Sequence, residues 1–169
     1  MTRFASAVLR MLRLRSGPQD LPAGLWVALI TGGLYIATGA AALVAGGETK
    51  TDLAISTDLA GMLLVVLLAL RMTGRPQRVA QTLSALFGCG SVFNMLAIPF
   101  LATMDRGGDA TASPDGLTAL AWWGLFFWSL WVNGHVLRHA LEIRLSSGIA
   151  LASLMFLLST LAYLWGASL

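Results

Sequence analysis

The segment Leu25–Ala45, LWVALITGGLYIATGAAALVA, runs for 21 residues without one charged side chain. Because an α-helix rises about 1.5 Å per residue, about 20 apolar residues cross the roughly 30 Å hydrocarbon core of a bilayer. The segment is longer than the apolar part of a signal peptide, about 7–15 residues. A Gly17-Pro18 break also separates it from the basic N-terminus. It therefore predicts a transmembrane helix that is retained in the protein.

Four further apolar stretches of similar length follow, at 53–70, 82–104, 117–137 and 147–167. Their apolar residues are continuous rather than alternating, which predicts helices instead of the strands of a membrane barrel. The sequence thus predicts an all-α fold in which residues 25–169 form a single domain. That domain is expected to be an integral membrane bundle of five transmembrane helices.

Composition excludes an ordinary soluble domain. Of the 169 residues, 57% are hydrophobic and 11% are charged, and the mean hydropathy is +0.76; soluble domains carry about 25% charge. The net charge of +3 comes from basic residues scattered beside the apolar stretches, which favours anionic lipid headgroups over nucleic acid as the partner. Cys89, the single cysteine, lies inside a predicted span and supports neither a disulfide framework nor a thiolate metal site.

Basic residues alternate between the gaps that separate the apolar stretches. Nine of the eleven fall at the N-terminus or in every second gap: Arg3, Arg10, Arg13, Arg15, Arg71, Arg75, Arg78, Arg138 and Arg144. The other gaps hold Lys50 and Arg106 among acidic residues. This positive-inside pattern predicts a cytoplasmic N-terminus and a periplasmic C-terminus in a bacterial inner membrane. Aromatic residues at the predicted membrane interfaces agree: Trp26, Trp122, Trp123, Tyr163 and Trp165.

Residues 1–24 form a basic N-terminal segment, and residues 3–15 within it predict a short amphipathic helix. One side of that helix carries Arg3, Ser6, Arg10 and Arg13, and the opposite side carries Phe4, Val8, Met11 and Leu12. Such a helix is expected to lie on the inner leaflet with its apolar side in the lipid. A disordered basic tail is the alternative, because short isolated helices are marginally stable.

Polar residues at membrane depth are costly and are therefore the first candidates for function. Asp58 is the one carboxylate inside a predicted span. It is interpreted either as a first-turn residue of a helix capped by Ser56 or Thr57, or as a proton or cation site. Asn94 lies midway along the third span and needs a partner on a neighbouring helix, for packing or for substrate binding, and Pro99 can kink that span.

The end of the fourth span concentrates aromatic and ionisable residues. One helical face carries Trp128, Trp131, His135, His139 and Glu142, with Arg138 at its border and Asn133 pointing the other way. The first interpretation is a cytoplasmic helix end at which Arg138 pairs with Glu142. The second is a weak metal site at His135 and His139, with Glu142 as a third ligand, and the third is a pH-sensitive histidine pair. The sequence predicts no cofactor, and Asp58 and His135 are expected to lie too far apart to meet.

Three segments resemble small proteobacterial inner-membrane proteins without an assigned function: GPQDLP at 17–22, QTLSALFG at 81–88 and GHVLRHAL at 134–141. The layout, with a cytoplasmic N-terminus, five spans and Asp20-Leu21-Pro22 just before the first, is also similar to the Yip1 family. The Asp-Leu-Tyr-Gly-Pro motif of eukaryotic members is matched only at Asp20-Leu21. This resemblance implies a non-enzymatic role in organising membrane components, and it transfers no functional residues.

Catalytic motifs are missing from the sequence, which contains no GxSxG, no HExxH and no glycine-rich phosphate loop. The sequence therefore predicts a non-enzymatic membrane protein that binds or organises other membrane proteins, or associates with itself. The alternative is a small oligomeric transporter or channel component that uses Asp58, Asn94 or the His135/His139 pair. A metal-binding membrane protein is a third hypothesis.

Overall fold

A computed structural model describes residues 2–22, 24–104 and 116–168, except for the side chains of residues 2, 3 and 104. Within these ranges the chain is helical and contains no strand. Arg106 and the acidic residues around it in the predicted outer gap lie outside the described residues.

In the described part of the chain, one short helix is followed by five long helices. They are α1, Thr2–Leu12; α2, Leu25–Ala45; α3, Thr51–Met72; α4, Val79–Met104; α5, Gly116–Leu141; and α6, Leu145–Ala167. Short 3-10 turns, Pro18–Asp20 and Pro76–Arg78, precede α2 and α4. The helix over Leu25–Ala45 is confirmed, and the other four long helices agree with their predicted bounds to within a few residues. The N-terminal helix is also confirmed, although it ends three residues before the predicted 15.

Among the described residues, four helices are long and apolar enough to cross a membrane: Leu25–Ala45, Thr51–Met72, Pro76–Thr103 and Leu145–Ala167. The remaining long helix, α5, has 26 residues and carries Arg138 and His139 in its last turn, and it is not among these four. Many large apolar side chains on the outside of the bundle are exposed, as Trp26 and Leu64 are at 77% and 51%. The chain is therefore a helical membrane protein, as its composition predicted.

The five long helices pack in the order α2, α4, α5, α6, α3, and α3 also contacts α2. Helices that follow one another in the chain are therefore not always the main packing partners. In α4, residues 82–89 are all buried, because α1, α2 and α5 all pack against this helix. This half of α4 forms the centre of the hydrophobic core.

Small residues allow the closest approaches between helices. Gly32 of α2 faces Phe87 of α4, and a Cβ atom at Gly32 would lie 3.4 Å from that ring. At the α5–α6 crossing, a Cβ atom at Gly148 would lie 2.3 Å from the Gly134 carbonyl oxygen. Gly33, the next residue after Gly32, would place a Cβ atom in open space, so only one of these two glycines is at a helix contact.

The turn between α2 and α3 is tied to the end of α6. Gly47 adopts a left-handed φ of 74° in this turn, a conformation that glycine takes without steric cost. The Glu48 carboxylate accepts a hydrogen bond from the Tyr163 hydroxyl at 2.7 Å, and the Lys50 ammonium donates to the Ala167 carbonyl at 2.7 Å. These contacts hold the predicted periplasmic ends of α2, α3 and α6 together.

Candidate functional site: a cavity around Asp58

All five long helices line a cavity of about 220 Å³ in the middle of the bundle. A second space of about 350 Å³ continues it toward the ends of α2, α3 and α4 near Ala42, Ala54 and Leu101. The two spaces share the side chains of Tyr35, Asp58, Asn94 and Phe156. Because of this shared lining they are treated as one site, named the central cavity.

Asp58 lies well inside α3 and not at its beginning. The helix starts at Thr51, so the interpretation of Asp58 as a first-turn residue capped by Ser56 or Thr57 is wrong. The Ser56 and Thr57 hydroxyls instead donate to the Leu53 carbonyl within the helix, at 3.0 and 2.9 Å. The carboxylate is therefore held at depth in the bundle without the support of a helix N-terminus.

The Asp58 carboxylate accepts a hydrogen bond from the Tyr35 hydroxyl of α2, whereas the Ser159 hydroxyl of α6 donates to the Met155 carbonyl at 3.0 Å. Gly90 makes room for the tyrosine, because a Cβ atom there would lie 2.5 Å from the Tyr35 ring. In the described part of the chain, both ion pairs involve Glu142. Asp58 thus has a hydrogen-bond donor in Tyr35 but no basic partner among these residues.

Asn94 of α4 lines the same cavity as Asp58. Its side-chain amide donates long hydrogen bonds to the Tyr35 carbonyl at 3.4 Å and to the Thr38 hydroxyl at 3.5 Å. The predicted partner on a neighbouring helix is therefore confirmed, and α2 supplies it. Pro99 lies within α4, which continues through it to Met104, and its exposed side chain does not line the central cavity.

Sequence reasoning missed Tyr35 because it considered only ionisable and amide groups at membrane depth. The available signal was a tyrosine in the middle of an apolar span, since tyrosine prefers the ends of spans. Asn133, which was predicted to point away from the histidines, lines the central cavity. Trp122, predicted as an interfacial anchor, also lines the part of the central cavity near Ala42 and Leu101.

The apolar side of α1 packs against protein, so the prediction that it lies in the lipid is wrong. Ala7, Val8 and Met11 are 1%, 5% and 0% exposed, and α1 contacts α4 and α5. Gly88 of α4 allows this contact, because a Cβ atom there would lie 3.2 Å from Val8. An amphipathic pattern predicts only that one side is buried, and here a groove of the bundle replaces the bilayer.

The tryptophan and histidine face of α5 binds the N-terminal segment. The Trp128 indole donates to the Leu12 carbonyl at 3.1 Å, and His135 Nε2 lies 3.1 Å from the Ser16 carbonyl oxygen. The His135 and His139 rings meet edge to face, with 4.6 Å between their centroids. The spacing of four residues does bring the two imidazoles together, but His135 is already occupied by the backbone at Ser16.

Glu142 turns away from the histidines toward the junction of α3 and α4. Its carboxylate pairs with Arg75 at 2.5 Å and with Arg78 at 2.8 Å, so the predicted pairing with Arg138 is wrong. The hydrogen bond from Arg78, assisted by the charge of Arg75, lowers the pKa of Glu142 below its usual range. Arg78 also donates to the Ala140 carbonyl at 3.1 Å at the end of α5.

This geometry removes Glu142 as the third ligand of a metal site at His135 and His139. Across residues 2–22, 24–104 and 116–168, no group of three or more His, Cys, Asp or Glu side chains could hold a metal ion. The central cavity contains Asp58 and Asn94 but neither histidine, so the structure separates the candidate residues into two groups.

No protein-family model, curated protein or solved structure matches the chain. The fold and the site define its class as a helical membrane protein with a mostly apolar cavity between its helices, into which Asp58 and Asn94 project polar groups. The resemblance to the Yip1 family and to small proteobacterial inner-membrane proteins stays a prediction.

Proposed function

We propose that this chain is a non-enzymatic multi-pass protein of the bacterial inner membrane whose central cavity binds a small polar or cationic solute, as part of a transporter or channel. The observation that carries the proposal is Asp58, which lines a cavity shared by five helices and has no basic partner among the described residues. An unneutralised carboxylate within a bilayer is costly, so it favours a proton or a cation.

In this proposal all five long helices cross the membrane, with the N-terminus in the cytoplasm and the C-terminus in the periplasm. The length of α5 supports this, because its 26 residues equal those of α4, against which it packs. Arg75 and Arg78 lie with Glu142 at one end of the bundle, where exposed Arg10 and Arg13 suit anionic headgroups. The wider part of the central cavity extends toward the opposite, periplasmic end.

Reconstituted liposomes test the proposal. Purified protein is expected to carry protons or monovalent cations down an imposed gradient faster than empty liposomes do, and Asp58→Asn is expected to abolish that flux. Asp52→Asn is the matched control, because this exposed carboxylate lies in the first turn of the same helix. If the wild type gives no flux, or if both substitutions leave the flux unchanged, the cavity is not a transport site.

A second candidate function, self-association, is favoured by an exposed stripe on α5. Its residues are Leu117, Leu120, Trp123, Phe127 and Trp131. Aromatic residues are enriched in protein interfaces, and Trp123 and Phe127 stack with 5.9 Å between their ring centroids. The proposed partner is a second copy of this chain, which presents the same stripe.

Cysteine crosslinking in native membranes distinguishes this stripe from ordinary lipid-facing surface. In a Cys89→Ala background, Trp123→Cys is expected to give crosslinked dimers, whereas Ile30→Cys is not. Ile30 is a suitable control because it is 71% exposed on α2. If both variants give monomers alone, or if both crosslink equally, the α5 stripe is excluded as a dimer interface.

A further inference from the structure

Aromatic rings form much of the wall of the central cavity. They are Tyr35, Phe93, Phe126 and Phe156 beside Asp58, with Trp122 toward the outer end. The rings come from α2, α4, α5 and α6, so they surround the space instead of covering one side. Phe126 and Phe156 meet edge to face at 5.1 Å between their centroids. The face of an aromatic ring attracts a cation placed within about 6 Å of it.

Polar groups in the cavity are few for a bare inorganic ion. Hard divalent cations take about six or more oxygen ligands, and smaller sites usually retain water to reach that number. Besides Asp58, the polar side chains on the wall include Asn94, Ser129 and Asn133. The Ser129 hydroxyl donates to the Phe126 carbonyl at 2.8 Å. Asp58 is the one charged side chain among the described residues on the wall.

A groove between α4 and α5 extends the apolar part of the site. It has a volume of about 150 Å³ and is lined by Phe93, Ala97, Trp122 and Leu125, among others. Asn94 lines both this groove and the central cavity. A ligand whose charge faces Asp58 therefore has space for alkyl substituents between these two helices.

We infer that the solute of the central cavity is an organic ammonium ion, whose charge faces Asp58 and whose alkyl groups contact the surrounding rings. This inference rests on the proposed function, because it names the class of solute for the same cavity. One carboxylate with several aromatic faces suits a cation that carries its own apolar surface. A strongly hydrated metal ion needs more oxygen ligands than this wall supplies.

The first test compares choline with its neutral isostere, 3,3-dimethyl-1-butanol, in equilibrium binding to the wild-type protein in lipid nanodiscs. Both molecules have the same shape, and only choline carries a charge. Choline is expected to bind at least about tenfold more tightly. Potassium at the same concentration is not expected to displace it. Equal binding of the two molecules, or displacement by potassium, would overturn the inference without the need for any variant.

The second test assigns the binding to the central cavity. Asp58→Asn is expected to abolish choline binding, and Phe126→Leu is expected to weaken it by about three- to tenfold through loss of one ring. Trp26→Leu is the control, since this aromatic side chain is 77% exposed on α2 and lies outside the central cavity. If Phe126→Leu does not fold, Phe156→Leu replaces it. Unchanged choline binding in a folded cavity variant would contradict the proposed site.

The outcomes separate this inference from the proposed function. An Asp58-dependent flux of protons or potassium without choline binding would refute the organic ammonium ligand and leave transport in place. Choline binding that depends on Asp58, without a flux of any cation, would refute transport and leave the ligand class in place. The absence of both would refute both.

Discussion

His135 and Glu142, at the arginine-rich end of the bundle, find partners within the chain. Asp58 in the central cavity accepts from the Tyr35 hydroxyl and has no basic partner among the described residues. His135 contacts the Ser16 carbonyl, and Glu142 holds two arginines. Both regions were candidates for function, because ionisable groups near the membrane are costly. The difference shows that the partner, rather than the residue type, distinguishes these ionisable groups from one another.

The two regions also differ in what covers them. The histidine face of α5 is covered by the N-terminal segment, whose backbone carbonyls accept from Trp128 and lie against His135. The residues around Asp58 instead line an open space of about 220 Å³ that continues into one of about 350 Å³. Substitutions at the histidine face are therefore expected to lower the stability of the protein. Substitution of Asp58 is expected to lower solute binding without a loss of stability.

The largest effect is expected where α1 docks on the bundle. Met11 is fully buried, so Met11→Ala is expected to lower the free energy of unfolding by about 2–5 kcal/mol, through lost burial and a cavity. Met72→Ala is the control, because Met72 is 87% exposed, and it is expected to have almost no effect. Reversible unfolding in detergent measures both. Equal effects would show that α1 lies on the lipid and not on the protein.

A smaller loss of stability is expected from substitutions at the histidine face of α5. His135→Ala removes a buried ring and its contact with Ser16, and is expected to cost about 1–3 kcal/mol of stability. His139→Ala should cost less, because His139 is only half-buried. The same unfolding assay compares them. If His135→Ala keeps full stability but loses a measured binding activity, the comparison between the two regions is broken.

Asp58→Asn is expected to change the free energy of unfolding in the opposite direction. Because it removes a charge that lacks a basic partner, stability should stay unchanged or rise by about 1 kcal/mol, while solute binding is lost. The amide oxygen can still accept the hydrogen bond from Tyr35. Unfolding and binding are measured on the same preparation. A loss of stability as large as that of Met11→Ala would make Asp58 a structural group.

The smallest effect is expected from the ion pairs of Glu142, and it depends on pH. Since Arg78 and Arg75 lower the pKa of Glu142 in the folded state, the stability they provide is fully present above the unfolded value of about 4.3. This stability is lost as the pH falls below the pKa of Glu142 in the unfolded state and then through its lowered pKa in the folded state. Unfolding of the wild type should therefore become easier over this window, and Glu142→Gln should remove part of the dependence. An unchanged pH profile in Glu142→Gln would contradict the ion pairs.

Local pattern was enough to predict the long helices. The apolar run at Leu25–Ala45 and the amphipathic order of residues 3–15 each predict a helix, because hydrophobic periodicity and length are local properties. The same pattern could not predict what buries α1, since a bilayer and a protein groove both cover an apolar side. The local pattern also could not predict the order of the helices in the bundle, because α2 packs mainly on α4 and not on α3, its neighbour in the chain.

By itself, the sequence determined that this is a helical protein of the membrane, and it singled out Asp58 and Asn94 as costly groups at depth. Only the tertiary structure decided that these two residues line one cavity with Tyr35. It also decided that Glu142 forms ion pairs with Arg75 and Arg78 rather than contacting the histidines. The physical reason is that burial cost belongs to each residue, whereas the partner that offsets it comes from another helix far away in the chain.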